Sequence, residues 1–317
     1  MNTRLQVEHP ITELITGVDI VREMINVASG CPLSLKQEDI GINGWAVECR
    51  VYAEDPVRFL PSIGYLSTYK EPLNAPGLEN VRVDTGIVEG STISMFYDPM
   101  ISKLVTHGET RDEALATMAK ALDHYCIQGV NHNIPVLRDI ITQPRFVSGD
   151  ITTNFIPEVY PDGFKGRVLS EGEKDELVAA ACYMHISRED TAKQFLNQER
   201  QSETVDLEPQ DWELVVKCEE ESVPVRCGWS EDGLEVSLEG KEEPLTISTD
   251  WRLGEPMMLA DVDGREVAVQ YEARRGRRLF LRHYGNKYEV VVYDPQSAEL
   301  SRHIPRERLC ELVEEEK

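Results

Sequence analysis

The run Trp212-Glu213-Leu214-Val215-Val216-Lys217-Cys218 has the apolar-polar alternation of a β-strand. Six more such runs follow at short intervals: SVPVRC (222–227), GLEVSL (233–238), PLTIST (244–249), REVAVQYEA (265–273), RLFLRHY (278–284) and KYEVVVYD (287–294). Glycine, aspartate and asparagine stand between them, as tight turns between antiparallel strands require. Seven or eight such strands in one block predict a small barrel or a curled sheet. Just upstream, Ser170 and Glu173 form a capping box. It opens a helix through Leu177, Val178, Ala180, Ala181 and Met184, with room to continue towards Phe195. Residues 166–317 therefore read as one helix packed on or through the strands. Trp212, Trp229 and Trp251 are expected in the barrel core, because aromatic side chains dominate core burial.

Upstream the pattern is mixed. Thr16 as N-cap and Asp19 in the first turn predict a helix over residues 16–28, with Ile20, Val21, Met24, Ile25 and Ala28 on one face. Thr110 and Glu113 make a second capping box, before Ala114, Leu115, Met118, Ala119, Leu122 and Tyr125. Asn133 is expected to cap a third helix, through Val136, Leu137, Ile140 and Ile141, which Gln143-Pro144 ends. Trp45 to Tyr52 and Val81 to Thr85 read as strands. The segment PEVYPDGFKG (157–166), with two prolines and two glycines, predicts a connection. The chain thus divides into a mixed domain, 1–160, and a helix-plus-barrel domain, 166–317: an α+β protein.

Composition narrows the function. Acids outnumber bases 57 to 33, a formal charge of −24, which argues against nucleic-acid and anionic-membrane binding. The sequence has no 18-residue apolar run of the kind that spans a bilayer. Seven scattered cysteines without a CxxC pair fit neither a disulfide framework nor a zinc site, and read as reduced thiols. Seven histidines include no HxxxH or HExxH pair.

The candidate chemistry lies in Asn2-Thr3-Arg4-Leu5-Gln6-Val7-Glu8-His9-Pro10. As an extended strand it would place Asn2, Arg4, Gln6 and Glu8 on one face and Leu5 and Val7 on the other. Amide, guanidinium and carboxylate in a row suit a small oxyanion: Arg4 to grip it, Gln6 to orient it, Glu8 to accept a proton. A half-buried strand with a solvated polar face is the alternative.

MNTRLQVEHPITELITG resembles the signature of biotin carboxylases, in the ATP-grasp group, where this stretch binds bicarbonate. The likeness continues through GWAVECRVYAEDP, VRVDTGI, YDPMISKL and GVNHNIPVLRDI. VYPDGFKG and the helix-plus-strands region are similar to the α subunits of acyl-CoA carboxylases, the propionyl-CoA enzymes in particular, with 3-methylcrotonyl-CoA carboxylase as the alternative. The resemblance implies the C-terminal part of an ATP-grasp biotin carboxylase domain, followed by a biotin-transport domain, a long helix surrounded by an antiparallel barrel, that contacts a carboxyltransferase β subunit.

Residue by residue, it implies that Glu8 is the general base that deprotonates bicarbonate for attack on the γ-phosphate of ATP. Arg4, Gln6 and the backbone of Val7 would hold the bicarbonate, and Arg82 would stabilise the biotin enolate. Asn2 would lie near the metal-bound phosphates. Implied cofactors are ATP, Mg2+ or Mn2+, and biotin on a biotinyl domain. Implied partners are bicarbonate, the biotinyl domain and the β subunit, in a hetero-oligomer of the mitochondrial matrix. In the family a metal-binding glutamate precedes the residue matching Met1, so the glycine-rich loop and the ATP lysines are expected outside this sequence. The Ala-Met-Lys-Met segment that carries biotin is also expected outside it, leaving the chain inactive by itself or serving as a docking module. The run Arg274-Arg275-Gly276-Arg277-Arg278 reads as a solvated hairpin turn, with an acidic partner or a coenzyme A phosphate as the alternative.

Overall fold

A computed structural model describes residues 2–193, 211–219 and 221–304. The chain forms two compact units, Met1–Arg167 and Val168–Lys317.

The first unit opens with helices α1 (His9–Thr16) and α2 (Ile20–Ala28). Then come strands β1 (Trp45–Tyr52), β2 (Gly64–Tyr65), β3 (Thr68–Lys70), β4 (Val81–Thr85), β5 (Thr92–Ile93) and β6 (Met100–Gly108). Helix α3 (Arg111–His124), strand β7 (Cys126–Gln128) and helices α4 (Ile134–Ile140), α5 (Pro144–Ser148) and α6 (Phe155–Val159) complete it. Its main sheet is antiparallel, in the order β1-β6-β4. Alternation splits the side chains of that sheet between two faces. Cys49 and Val51 of β1 and Leu104 of β6 join Leu115, Met118 and Leu122 of α3 in the core. Thr110 accepts from Glu113 N at 3.2 Å, and the Glu113 carboxylate reaches back to Thr110 N, so the predicted capping box starts α3.

Three local expectations give way. Residues 2–8 join no sheet; a bend and a turn lead straight into α1, because no neighbouring strand offers them a ladder. Thr16 ends α1 instead of starting a helix, and α2 is capped by Asp19, whose carboxylate accepts from Arg22 N at 2.8 Å. Gly17, at φ 71°, makes the left-handed break between the two helices. Asn133 stands at the start of α4 without capping it. Its side chain accepts from Tyr52 N at 2.9 Å and donates to the Arg50 carbonyl at 3.1 Å, which pins the end of β1.

In the second unit, helix α7 (Glu171–Lys193) precedes strands β8 (Trp212–Cys218), β9 (Glu221–Trp229), β10 (Leu234–Leu238) and β11 (Leu245–Ser248). Strands β12 (Met257–Val262), β13 (Arg265–Arg275), β14 (Arg278–His283) and β15 (Asn286–Tyr293) follow, with helix α8 (Pro295–Ser301) last. The eight strands close as an antiparallel barrel when β15 pairs with β8. The sequence runs missed β12, whose Met257-Met258-Leu259-Ala260 stretch lacks alternation.

Residues 176–186 of α7 are all buried, so the helix is covered on every face. Leu177, Cys182 and Met184 share a core with Leu214, Val236 and Leu281 of the strands, which places α7 inside the barrel. Ser170 and Glu173 form their expected box at its start. Asp263-Gly264 and Tyr284-Gly285, all at positive φ, turn the chain between adjacent strands in two residues each. Gly276-Arg277 does the same between β13 and β14, so the basic run is a hairpin turn. Trp212 and Trp251 lie in the core, but Trp229 is exposed on a strand end, where it donates to Asp190 at 3.2 Å and stacks edge-on with Tyr183. Cys49, Cys126, Cys182 and Cys227 are buried and form no disulfide among the described residues; Cys310 lies outside them. Among the described residues no helix is long and apolar enough to cross a membrane.

Candidate functional site

The site is built on the second face of the three-stranded sheet. There the register sets Arg50 of β1 opposite Lys103 of β6, and Lys103 opposite Asp84 of β4. One pair further along, Glu48, Val105 and Arg82 stand in the next row. Helix α1 and the residues just before it cover this face. Val105, completely buried, is its apolar floor.

Two groups of polar and charged contacts lie across it, coupled by the attraction of Lys103 for Glu48. Gln6 Nε2 donates to Glu8 Oε1 at 3.1 Å, and Arg50 Nη2 donates to Glu8 Oε2 at 3.0 Å. The other side of the same guanidinium, Nε, lies 3.5 Å from Glu48. Lys103 Nζ donates to the Val7 carbonyl at 3.3 Å and pairs with Asp84 at 3.1 Å, and it lies 3.2 Å from His9 Nε2. His9 Nδ1 is 3.1 Å from Glu13, and Glu13 accepts from Arg82 Nη1 at 2.7 Å. Arg82 closes the circuit by donating to both oxygens of Asp84, at 2.7 and 3.0 Å.

The protonation states follow from this network. Burial opposes the charge on Glu13, but hydrogen bonds from Arg82 and His9 outweigh it and hold the carboxyl below its usual range. Asp84 is likewise lowered: burial resists, and Arg82 and Lys103 prevail. Glu48 goes the other way, because burial exceeds the attraction of Lys103 and Arg50. The hydrogen bonds to Asp84 raise Arg82 above its ordinary value. One face therefore carries carboxyls pushed in opposite directions, two by their ion pairs and one by burial.

The sequence-derived residues divide into two groups. Gln6, Glu8, the Val7 carbonyl and Arg82 are joined to the network, whereas among the described residues Arg4 donates only to the neighbouring Leu5 carbonyl at 3.2 Å, and Asn2 is exposed. Gln6 and Glu8 point outward while Leu5 and Val7 are half-buried, so the expected two faces survive without the strand. Arg50, Glu48, Lys103, His9, Glu13 and Asp84 went unnoticed in the sequence. The spacing of Glu48 to Arg50 and of Arg82 to Asp84, with apolar residues between, was the available signal. A cavity of about 1000 Å3 opens beside the network, lined among others by His9, Glu13, Arg22, Arg82 and Asp84. Among the described residues no group of three or more His, Cys, Asp or Glu could hold a metal ion.

Comparison with known proteins follows the same division. The model of the carbamoyl-phosphate synthase L chain ATP-binding domain matches residues 1–36. That of the biotin carboxylase C-terminal domain matches 48–158, and that of the propionyl-coenzyme A carboxylase BT domain matches 177–306. The mitochondrial propionyl-CoA carboxylase alpha chain of Mus musculus is 48% identical over 305 residues, which cover 95% of this chain and 41% of the relative. The propionyl-CoA carboxylase alpha chain of Ruegeria pomeroyi is 42% identical over 326 residues, covering 96% and 46%. A solved structure, the biotin carboxylase domain of a thermophilic 2-oxoglutarate carboxylase bound to bicarbonate, is 43% identical, covers 50% of this chain and 35% of its own, and has a TM-score of 0.47. The chain thus spans less than half the length of the curated relatives it matches.

Proposed function

This chain belongs to the biotin-dependent carboxylases, ligases by family, and from that membership we propose that it is part of the alpha subunit of a propionyl-CoA carboxylase. The reaction proposed is ATP- and bicarbonate-dependent carboxylation of biotin, for transfer to propionyl-CoA. The reading is carried by the order of the matches: a carboxylase C-terminal model on the first unit and the BT model on the second. The BT match favours propionyl-CoA over 3-methylcrotonyl-CoA carboxylase.

In this reading Glu8 takes the proton from bicarbonate, while Arg4, Gln6 and the backbone of Val7 hold the anion. Half exposed and reached by Gln6 and Arg50, Glu8 is accessible and oriented. The family resemblance gave the stabilising role to Arg82. The geometry favours Arg50, because Arg82 is committed to Glu13 and Asp84 whereas Arg50 touches the base itself. Arg82 then shapes the floor of the site. A preorganised guanidinium next to the developing charge lowers the barrier without reorganisation.

ATP, when bound, supplies the phosphoryl group that activates bicarbonate. The described residues do not by themselves fit a nucleotide or a metal: the sequence has no G-x-x-x-x-G-K-[ST] loop, and Asn2 offers a single amide oxygen. Exposed Asn2 is placed near the metal-bound phosphates by the family resemblance alone. Biotin comes from a biotinyl domain, and the barrel unit is the docking module for the carboxyltransferase beta subunit in a hetero-oligomer. The mitochondrial names of several relatives support a matrix location, beside a bacterial relative of similar likeness.

The test is bicarbonate-dependent ATP hydrolysis with free biotin, measured on the 317 residues and on a subunit of its relatives' length. Activity in the longer protein alone is expected. Failure of both to hydrolyse ATP in response to bicarbonate would overturn the reading.

A further inference from the structure

Strand β1 puts two alternate side chains, Glu48 and Arg50, on the face that carries Glu8. Arg50 is gripped at both ends: Nη2 by Glu8 at 3.0 Å and Nε by Glu48 at 3.5 Å. The two carboxylates differ in setting, with Glu8 52% exposed at its side chain and Glu48 only 6%. Glu48 Oε2 is buried with no hydrogen-bond partner among the described residues. A buried carboxyl with half its acceptor capacity idle opposes folding. Asn133 fixes the Arg50 backbone through its 3.1 Å bond to the carbonyl. The guanidinium therefore sits at the end of a side chain anchored at its root, along its length and at its tip.

We propose that Glu48 is a positioning residue for the bicarbonate-handling pair, holding Arg50 from the sheet side so that the same guanidinium meets Glu8 in one fixed geometry. This inference rests on the reading of Glu8 as the base. The charged groups that act on Glu48 come from each packed element: Arg50 on its own strand, Lys103 on β6, and Glu8 ahead of α1. Beyond Lys103 stand Asp84 of β4 and His9 of α1. Burial raises the Glu48 carboxyl above its ordinary range, with Lys103 and Arg50 opposing and Glu8 adding to the rise. Its hold on Arg50 is therefore strongest when ionised and slackens as pH falls towards that raised value.

The test uses the complete carboxylase subunit and compares Glu48→Gln with the unmodified enzyme, by turnover and by separate KM values for bicarbonate and ATP across pH. Turnover should fall by up to about a hundredfold, the scale of a misplaced reacting group, with KM for ATP unchanged. The ratio between variant and unmodified enzyme should shrink as pH falls, because protonated Glu48 resembles glutamine. Glu48→Asp should recover part of the loss, and hydrogen exchange of β1 and β6 shows whether the fold is intact. An intact Glu48→Gln enzyme with unmodified turnover and pH profile overturns the inference. Glu8→Gln in the same assay separates the two levels. If it abolishes carboxylation while Glu48→Gln does nothing, only the positioning role falls; if it leaves carboxylation untouched, the reading of Glu8 falls with it.

Discussion

Arg82 Nη1 and Glu13 Oε2 stand 2.7 Å apart, and through that contact the start of strand β4 is fastened to helix α1. Glu13 is 7% exposed and Arg82 34% at their side chains, so the pair is half sheltered from water. Replacing Arg82 by methionine keeps the apolar stem and leaves a buried carboxylate short of a partner. The cost should be about 2 kcal/mol, between an exposed ion pair and the roughly 3–5 kcal/mol of a fully buried one. Hydrogen exchange of the β4 and β6 amides under mild denaturant measures it. Protection equal to the unmodified protein would show that the pair contributes nothing to the unit.

The same network sets an acid limit. Glu13 and Asp84 are both held below their ordinary values of 4.5 and 3.8. A lowered carboxyl lends stability above its unfolded value and loses it as pH falls through the folded one. The thermal midpoint of the first unit should be level near neutrality and decline below about pH 4.5. In Glu13→Gln the decline should be shallower, starting from a lower plateau. Parallel curves for the two proteins would contradict the assignment.

The barrel depends on the helix within it. Leu177 of α7 is completely buried among the strands. Leu177→Ala should destabilise the second unit by about 3 kcal/mol, through lost transfer energy and the cavity left behind. Tryptophan emission is the readout, since Trp212 and Trp251 are both core residues of that unit. A cost under about 1 kcal/mol, the scale of a surface site, would place α7 outside the barrel.

Gly129 is held at φ +100°, and a Cβ there would lie 2.0 Å from the carbonyl oxygen of Tyr65. That oxygen is backbone and has little room to give. Gly129→Ala should cost more than about 2 kcal/mol, combining steric overlap with an unfavourable φ. Loss of amide protection in β3 and β7, which pair beside it, is the expected signature. Unchanged protection would mean that the loop simply shifts.

The barrel could be read from sequence because each strand with clear alternation announced its own faces, from Trp212 to Tyr293. Strand β12 could not, since Met257 to Ala260 are apolar throughout and only the barrel decides which side they face. The ends of α1 and α2 were misread at Thr16 and Asp19, two good capping residues three positions apart; tertiary packing of His9 and Glu13 on the sheet chose between them. The site was half legible. Glu8 and Gln6 could be picked from their own short segment, but Arg50 meets Glu8 across 42 residues of chain, and no local pattern carries that contact. Arg82 stood out only through the family resemblance, and its partner Glu13 lies 69 residues away.

Carboxylation of free biotin by the complete subunit, with Glu8→Gln and Arg50→Ala each set beside Arg82→Met, tests the account most directly. The first two should lose turnover by about a hundredfold or more, the scale of a missing base or charge stabiliser, with the fold intact. Arg82→Met should lose stability first and keep a larger share of its turnover per folded molecule. Near-normal turnover in Glu8→Gln, or a loss confined to Arg82→Met, would contradict it.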